Sequence, residues 1–370
     1  MRILFLSGTA VGGSAMSTRE LAQRMAARGH EVDVLLRVET APRRWMLQHR
    51  LVNLAVRLPR LLAQPVWRVA GLVGGGRQLV NESPIRLWST ILPENSLRKF
   101  LRDQPPDVVV AASVGRMAWR SIRKELSAAG IASVLYLREE AAIGHLDISN
   151  APPELLLTNA ATLSERAAAI GFRAHFVPSV VSLDAIRVDT SREVVLFINP
   201  VEISGREVAV ALARECPEMR FAFVESWPLK PEERRWLEDA LKGLENVELR
   251  PRTDDPSELY GDAAALLAPY LTNGRPRVVL EAQANGVPVL GSSLDALVEA
   301  IGPGGLTVDA DAPIAEWASA LRYLLGPTNY DGFVSAARTY SERSEVDPET
   351  IVGEFERLLL ELVATRKGSS

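Results

Sequence analysis

From residue 273 to 281 the chain reads Asn-Gly-Arg-Pro-Arg-Val-Val-Leu-Glu. Arg275 and Arg277 stand ahead of a helix predicted over 278–285, and Glu281 lies one turn inside it. Backbone N–H groups at a helix start have no intrahelical acceptor, so they and nearby guanidiniums can face an anion. A carboxylate such as Glu281 accepts two hydroxyl hydrogen bonds, or it stabilises its own helix start through the dipole. A second candidate contact is the loop Gly8…Gly12-Gly13, whose glycines suit close backbone approach to phosphate or sugar. The loop does not fit G-x-G-x-x-G, which argues against a dinucleotide, and by itself it reads equally as a generic turn. Arg138-Glu139-Glu140 closes another strand; Arg138 either meets a phosphate or acidic substrate, or pairs with its acidic neighbours. One cysteine, Cys216, leaves no intrachain disulfide framework, and His30, His49, His145 and His175 have no metal-ligand spacing.

The elements that must position these residues are legible from periodicity. Ile3–Leu6 is a buried strand, and Ser17 with Glu20 reads as a capping box before a helix carrying Leu21 and Met25 on one face. Val32–Leu36 follows, completing a right-handed βαβ unit. Strands at 107–111, 133–137, 155–158 and 175–177, with helices at 115–129 and 162–170, extend it to a doubly wound domain. Residues 178–192 turn polar and irregular, as a linker does. The pattern then restarts: strand 194–198, a second capping box at Ser204 and Glu207, helix 205–215, and strands at 221–224, 247–249, 264–268 and 287–290. Asp347-Pro348 opens a last helix with apolar residues at 351, 355, 358, 359 and 362. The expected division is therefore 1–182, 190–346 and a final helix at 347–370. Two such α/β domains place the C-terminal ends of their strands at a shared cleft.

Charge is unevenly spread. Residues 1–190 carry 24 Lys and Arg against 16 Asp and Glu, whereas the rest carry 18 against 30. The excess sits between Arg37 and Lys124, with 16 basic and 5 acidic residues. Within a helical insertion expected at about 40–100, Leu47, Leu51, Leu54, Leu58 and Leu61 form one stripe, with arginines at other positions. The segment 43–62 either lies on an anionic membrane surface or packs its leucines on the first domain. Its basic residues come with leucine rather than stacking aromatics, which argues against nucleic acid. No apolar run reaches the ~18 residues of a membrane span, and Ile3–Leu6 is shorter than the ~7–15-residue core of a signal peptide. The expected location is cytoplasmic, with peripheral contact to the inner face of the membrane as an option.

The segment 273–305 resembles the donor-binding region of the family 4 retaining glycosyltransferases, which have the GT-B fold. Glu281 matches the second Glu of their Glu-x7-Glu motif, and Gly286-Val287-Pro288-Val289 matches the strand that follows. The glycine loop, Arg28–Val32 and Val195–Pro200 are similar too. The resemblance implies an N-terminal acceptor domain, a C-terminal donor domain and a last helix crossing back to the first. It implies a nucleoside-diphosphate sugar as donor and a lipid-linked sugar, glycan or small molecule as acceptor, with no metal or separate cofactor. Glu281 would hold the ribose, Asn273 with Gly274–Val278 would face sugar and diphosphate, and Gly12-Gly13 would approach from the other side. Four features depart from the family pattern. Asn273 replaces its first Glu, Pro276, which lacks an N–H, stands where a Gly often precedes the next helix, Ser204 stands where its diphosphate-binding Lys belongs, and Ser113 and Arg138-Glu139 stand where many members have a His. Arg206, Arg275 and Arg277 are candidate substitutes for the missing cation, or surface salt-bridge partners. These departures keep open a non-enzymatic GT-B scaffold serving as a partner subunit. A GT-B epimerase would need cleft carboxylates, and Asn273 counts against it.

Overall fold

Apolar runs such as Val108–Ala112 and Ala263–Ala268 are buried on both faces, the pattern of a parallel sheet covered by helices on each side. The computed structural model describes residues 1–8, 12–37, 78–81, 84–91, 93–114, 116–140, 150–227 and 229–368, with single positions 51, 54, 65, 66 and 69, and it builds two such sheets.

The first half runs β1 (Arg2–Ser7), α1 (Gly12–Ala27), β2 (Glu31–Arg37), β3 (Gln78–Asn81), β4 (Arg86–Thr90), α2 (Pro93–Asp103), β5 (Val108–Ala112), α3 (Arg116–Ala128), β6 (Ala132–Leu137), β7 (Leu155–Thr158), α4 (Ala161–Ala169) and β8 (Ala174–Phe176). Among the described residues its strands lie in the order β3-β4-β2-β1-β5-β6-β7-β8, and β3 pairs antiparallel at the edge. The second half runs β9 (Val194–Ile198), α5 (Arg206–Glu215), β10 (Arg220–Val224), α6 (Pro231–Ala240), β11 (Val247–Arg250), α7 (Pro256–Tyr260), β12 (Ala263–Ala268), α8 (Arg277–Ala284), β13 (Val289–Ser292), α9 (Asp295–Ile301), β14 (Gly305–Val308), α10 (Ile314–Leu324) and α11 (Tyr330–Ser341). Its order is β11-β10-β9-β12-β13-β14, all parallel.

In both sheets the chain reverses direction of travel beside its first strand. β1 lies between β2 and β5, and β9 lies between β10 and β12. Loops leaving the C-terminal ends of these strands diverge to opposite faces and leave a crevice there. The last helix, α12 (Pro348–Gly368), packs on the first sheet. Ile351, Val352, Phe355, Leu358 and Leu359 share one core with Ile3, Phe5 and Val34, and Phe355 stacks on Phe5 at 5.9 Å. Burying each such side chain stabilises by ~2 kcal/mol. Around this seam Arg24 reaches Glu349 at 2.9 Å, and Glu356 accepts from Arg28 at 2.8 Å and meets His30 at 2.6 Å.

Several expectations are corrected here. Within the helical insertion expected at 40–100, β4 instead extends the main sheet beside β2, and α2 covers it. The leucine stripe and the basic segment 43–62 lie outside the described residues apart from Leu51 and Leu54, as does His145. Neither expected capping box forms. Helix α1 already begins at Gly12, so Ser17 is a buried residue in its second turn, and α5 is capped by left-handed Gly205 without a side-chain bond. Asp347 does cap α12, accepting from the Thr350 N–H at 2.7 Å.

Candidate functional site

A cavity of about 200 Å³ opens where the two crevices face each other. The first domain contributes Gly13, Ser14 and Ser17 from α1, Arg138 and Glu139 from the end of β6, and Asn159 after β7. The second contributes Asn199 and Ser204 after β9, Trp227 after β10, and Gly274–Val278 entering α8. Of the residues singled out from sequence, Gly13, Arg138, Ser204, Gly274, Arg275, Arg277 and Val278 line this cavity; Gly12, Arg206, Asn273 and Glu281 do not.

The two glycines have a local reason. A Cβ at Gly12, whose φ is +83°, would come within 3.2 Å of the Trp227 ring, and one at Gly13 within 3.3 Å of Arg277 Cγ. The second domain therefore packs closely on the first turn of α1, where the left-handed backbone at Gly12 favours glycine and a methyl at Gly13 would make Arg277 give by a few tenths of an ångström. Gly205 is held more strictly still: a Cβ there would sit 1.9 Å from the Pro269 carbonyl oxygen. That contact fixes the turn that carries buried Ser204, whose hydroxyl lies 3.4 Å from Asn199 Nδ2.

Arg277 and Glu281 are one helical turn apart on α8, and their 2.5 Å hydrogen bond is nearly buried. The second Glu281 oxygen accepts from the Tyr260 hydroxyl at 2.8 Å. Burial and the Glu281 charge push Tyr260 well above its ordinary pKa and Tyr270 up to about 12, so both phenols stay protonated donors. Arg277 also reaches across the cleft, 3.5 Å from the Ser17 hydroxyl and 3.6 Å from Glu20.

Asn273 does not face the cavity. Its Oδ1 accepts from the Ala296 N–H at the start of α9 at 2.9 Å, and its Nδ2 donates to Glu140 at 2.9 Å. Its carbonyl accepts from the Glu140 N–H at 3.0 Å, and Gly274 forms an antiparallel bridge with Glu139. The residue expected to meet the sugar is thus spent joining the domains. Arg275 lines the cavity, yet its guanidinium is held by Glu299 at 3.0 Å and Glu345 at 2.8 Å, and packs 5.4 Å from the Phe176 ring. Arg206 turns elsewhere: it stacks on Trp236 at 4.0 Å and bonds Glu207 at 3.1 Å. It therefore supplies no cation to the cavity.

Sequence reasoning passed over the partners of these groups. Glu299 accepts from the N–H groups of Ala161 and Thr162, at 3.1 and 3.2 Å, so a second-domain carboxylate caps first-domain helix α4. Arg166 bridges Glu140 and Asp295. Asn159 Nδ2 lies 3.3 Å from the Arg275 carbonyl. No spacing marks these residues, because each meets a partner more than 100 residues away. Among the described residues no three His, Cys, Asp or Glu side chains converge as metal ligands would, and no helix is long and apolar enough to cross a membrane.

The glycosyltransferase 4-like domain model matches residues 12–199, and the model for glycosyl transferases group 1 matches 202–326. No curated protein matches the chain. Among solved structures, sucrose-phosphate synthase from Thermosynechococcus elongatus is 14% identical, aligned over 99% of this chain and 100% of that one with a TM-score of 0.77. HepE from Anabaena, in complex with UDP-glucose, is 14% identical over 98% and 100%, with a TM-score of 0.73. WaaG, a glycosyltransferase involved in lipopolysaccharide biosynthesis, is 16% identical over 95% and 98%, with a TM-score of 0.64. At such identities the likeness establishes architecture: two Rossmann-like domains facing across a cleft, the GT-B fold. With one family model spanning more than half of its length and the second most of the remainder, the chain belongs to the glycosyltransferase 4-like family.

Proposed function

We propose that the protein transfers a sugar from a nucleoside-diphosphate sugar to an acceptor, with retention of configuration. One observation carries this reading: the cavity joins the first turns of α1 and α8, from opposite domains, with guanidiniums between them. First-turn N–H groups of both helices suit a diphosphate. As the bond to the sugar lengthens, the diphosphate gains charge and the sugar gains oxocarbenium character, so fixed dipoles and cations act on the transition state. By the family resemblance Glu281 is the proposed ribose ligand: it stands one turn behind Arg277 of the cavity wall, and each of its oxygens keeps a lone pair beyond the bonds to Arg277 and Tyr260. Ser204, Gly274, Arg277 and Val278 are assigned to the donor, and the first domain to the acceptor. No separate cofactor enters the scheme.

The nearby HepE structure holds UDP-glucose, which makes that donor the first to try. Thermal shifts with UDP-, GDP- and dTDP-sugars, followed by the anomeric configuration of the product by NMR, test the reading. A stabilising donor and a retained anomer are expected. No shift with any nucleotide would favour a scaffold without activity. For the acceptor, a lipid-linked sugar at the inner membrane face is the reading that suits the basic segment 43–62. Co-sedimentation with vesicles containing anionic lipid, lost when its arginines are replaced, is the expected result.

A further inference from the structure

Among the described residues, Arg138 is a buried cation with no carboxylate beside it. The residue is 8% exposed, and its guanidinium lies over the Tyr136 ring at 4.4 Å. Nη1 donates to the Ser179 hydroxyl at 3.0 Å, and Nη2 lies 3.5 Å from the Thr18 hydroxyl. Nε is buried and bonded to nothing. Neither acidic neighbour serves it. Glu140 is held by Arg166 and Asn273, and Glu139 is exposed at the cavity wall. Among the described residues no carboxylate pairs with Arg138, whereas Arg275 and Arg277, the other arginines lining the cavity, each have two acids in reach.

Burial pushes the Arg138 guanidinium below its ordinary pKa; the Tyr136 hydroxyl partly offsets this, and the charge of Arg277 adds to it. Leaving a buried charge unpaired is costly, and hydroxyl partners recover little of that cost. Across the cavity the second domain presents Ser204, which is neutral. The unspent charge and the free Nε–H call for an oxyanion that fits a planar fork.

We propose that Arg138 anchors an oxyanion subsite on the first-domain wall, taking a phosphate-type group, with the Thr18 and Ser179 hydroxyls beside it. The subsite rests on the proposed function for the source of the phosphate, not for the anion chemistry. Two sources share that chemistry: the donor diphosphate and an acidic group on the acceptor.

The test compares wild type with Arg138→Met and Arg138→Lys, using inorganic pyrophosphate, inorganic phosphate, and UDP, GDP, ADP and dTDP as probes. Arg138→Met should melt at the wild-type temperature or above it, because the unpaired charge is gone. Its pyrophosphate affinity should fall more than tenfold, with Arg138→Lys between the two. If affinity for a nucleoside diphosphate falls in parallel, the donor is the source. If that affinity holds but phosphate no longer binds the nucleotide-saturated variant, the acceptor is the source. An Arg138→Met protein that melts several degrees lower yet keeps every wild-type anion affinity overturns the subsite, as does a wild type that binds none of the anions. A wild type that ignores all four nucleotides but binds pyrophosphate through Arg138 would end the proposed function and leave the subsite standing.

Discussion

The seam between the two domains has two sides that treat charge in opposite ways. On one side, Asn273, Arg275, Arg166, Glu140, Glu299 and the first turn of α4 satisfy one another across the domain boundary. On the other, among the described residues, the cavity wall leaves Arg138 without an acid, Glu139 exposed, and the first turns of α1 and α8 lining the cavity. A folded protein pairs its buried charges unless something else pairs them. The paired side is therefore a clasp that sets how the domains meet, and the unpaired side is where a ligand completes the structure. The motif region 273–281 straddles both. Asn273 and the Arg275 guanidinium serve the clasp, whereas Gly274 and Pro276–Val278 line the cavity.

Glu281→Ala gives the largest effect that would break this division. It removes hydroxyl acceptors assigned to the ribose and frees Arg277, so affinity for the preferred nucleoside diphosphate should fall by on the order of 100-fold, the size of two hydrogen bonds to a charged group. Calorimetry checks this, and unchanged affinity would remove Glu281 from the site. Glu299→Gln probes the clasp instead. It takes one acid from buried Arg275 and weakens the cap on α4, and should cost about 2 kcal/mol in urea unfolding. Nucleotide affinity should fall less than with Glu281→Ala; a larger loss of affinity than of stability would show that the clasp belongs to the binding site.

Smaller effects sharpen the boundary. Gly13→Ala sets a methyl 3.3 Å from Arg277 Cγ, which must give by a few tenths of an ångström. A few-fold rise in Kd with a stability change within ~0.5 kcal/mol is expected. Acid should loosen the clasp through Glu345. Burial raises its pKa, but hydrogen bonds from Arg275 and Arg343 outweigh that and hold it below the ordinary value. Its contribution is thus present above its unfolded pKa and lost as pH falls through the lower folded one. Melting temperatures from pH 5 down to pH 3 should drop less steeply for Glu345→Gln than for wild type, and equal slopes would clear Glu345 of this role.

Much of this molecule is legible in the sequence where the cause is local. Val194–Ile198 and Leu155–Thr158 announce strands because both faces are apolar, and the structure places them at those limits. Arg277, Val278 and Gly274 reach the cavity because the strand–loop–helix order puts them at a strand's C-terminal end. Local rules misled where tertiary contact outweighed them. Ser17 and Ser204 have the spacing of caps, yet glycines at 12 and 205 begin the helices: both take a left-handed φ, and at 205 the Pro269 carbonyl also leaves no room for a Cβ. The motif points Asn273 toward the sugar, because its partner Glu140 is 133 positions away and no spacing rule reaches that far. The helical insertion expected at 40–100 hid β4, which pairs with β2, where the buried carboxylate of Asp33 takes a bidentate Arg86 at 2.8 and 2.7 Å.

The contrast between clasp and cavity is tested most directly by hydrogen exchange with and without the best-binding nucleoside diphosphate. The account predicts slower exchange in the backbone amides of 12–17, 199–205 and 274–279, with those of 161–164 and 296–300 unchanged. Protection confined to the clasp segments, or protection nowhere along the cavity wall, would contradict it.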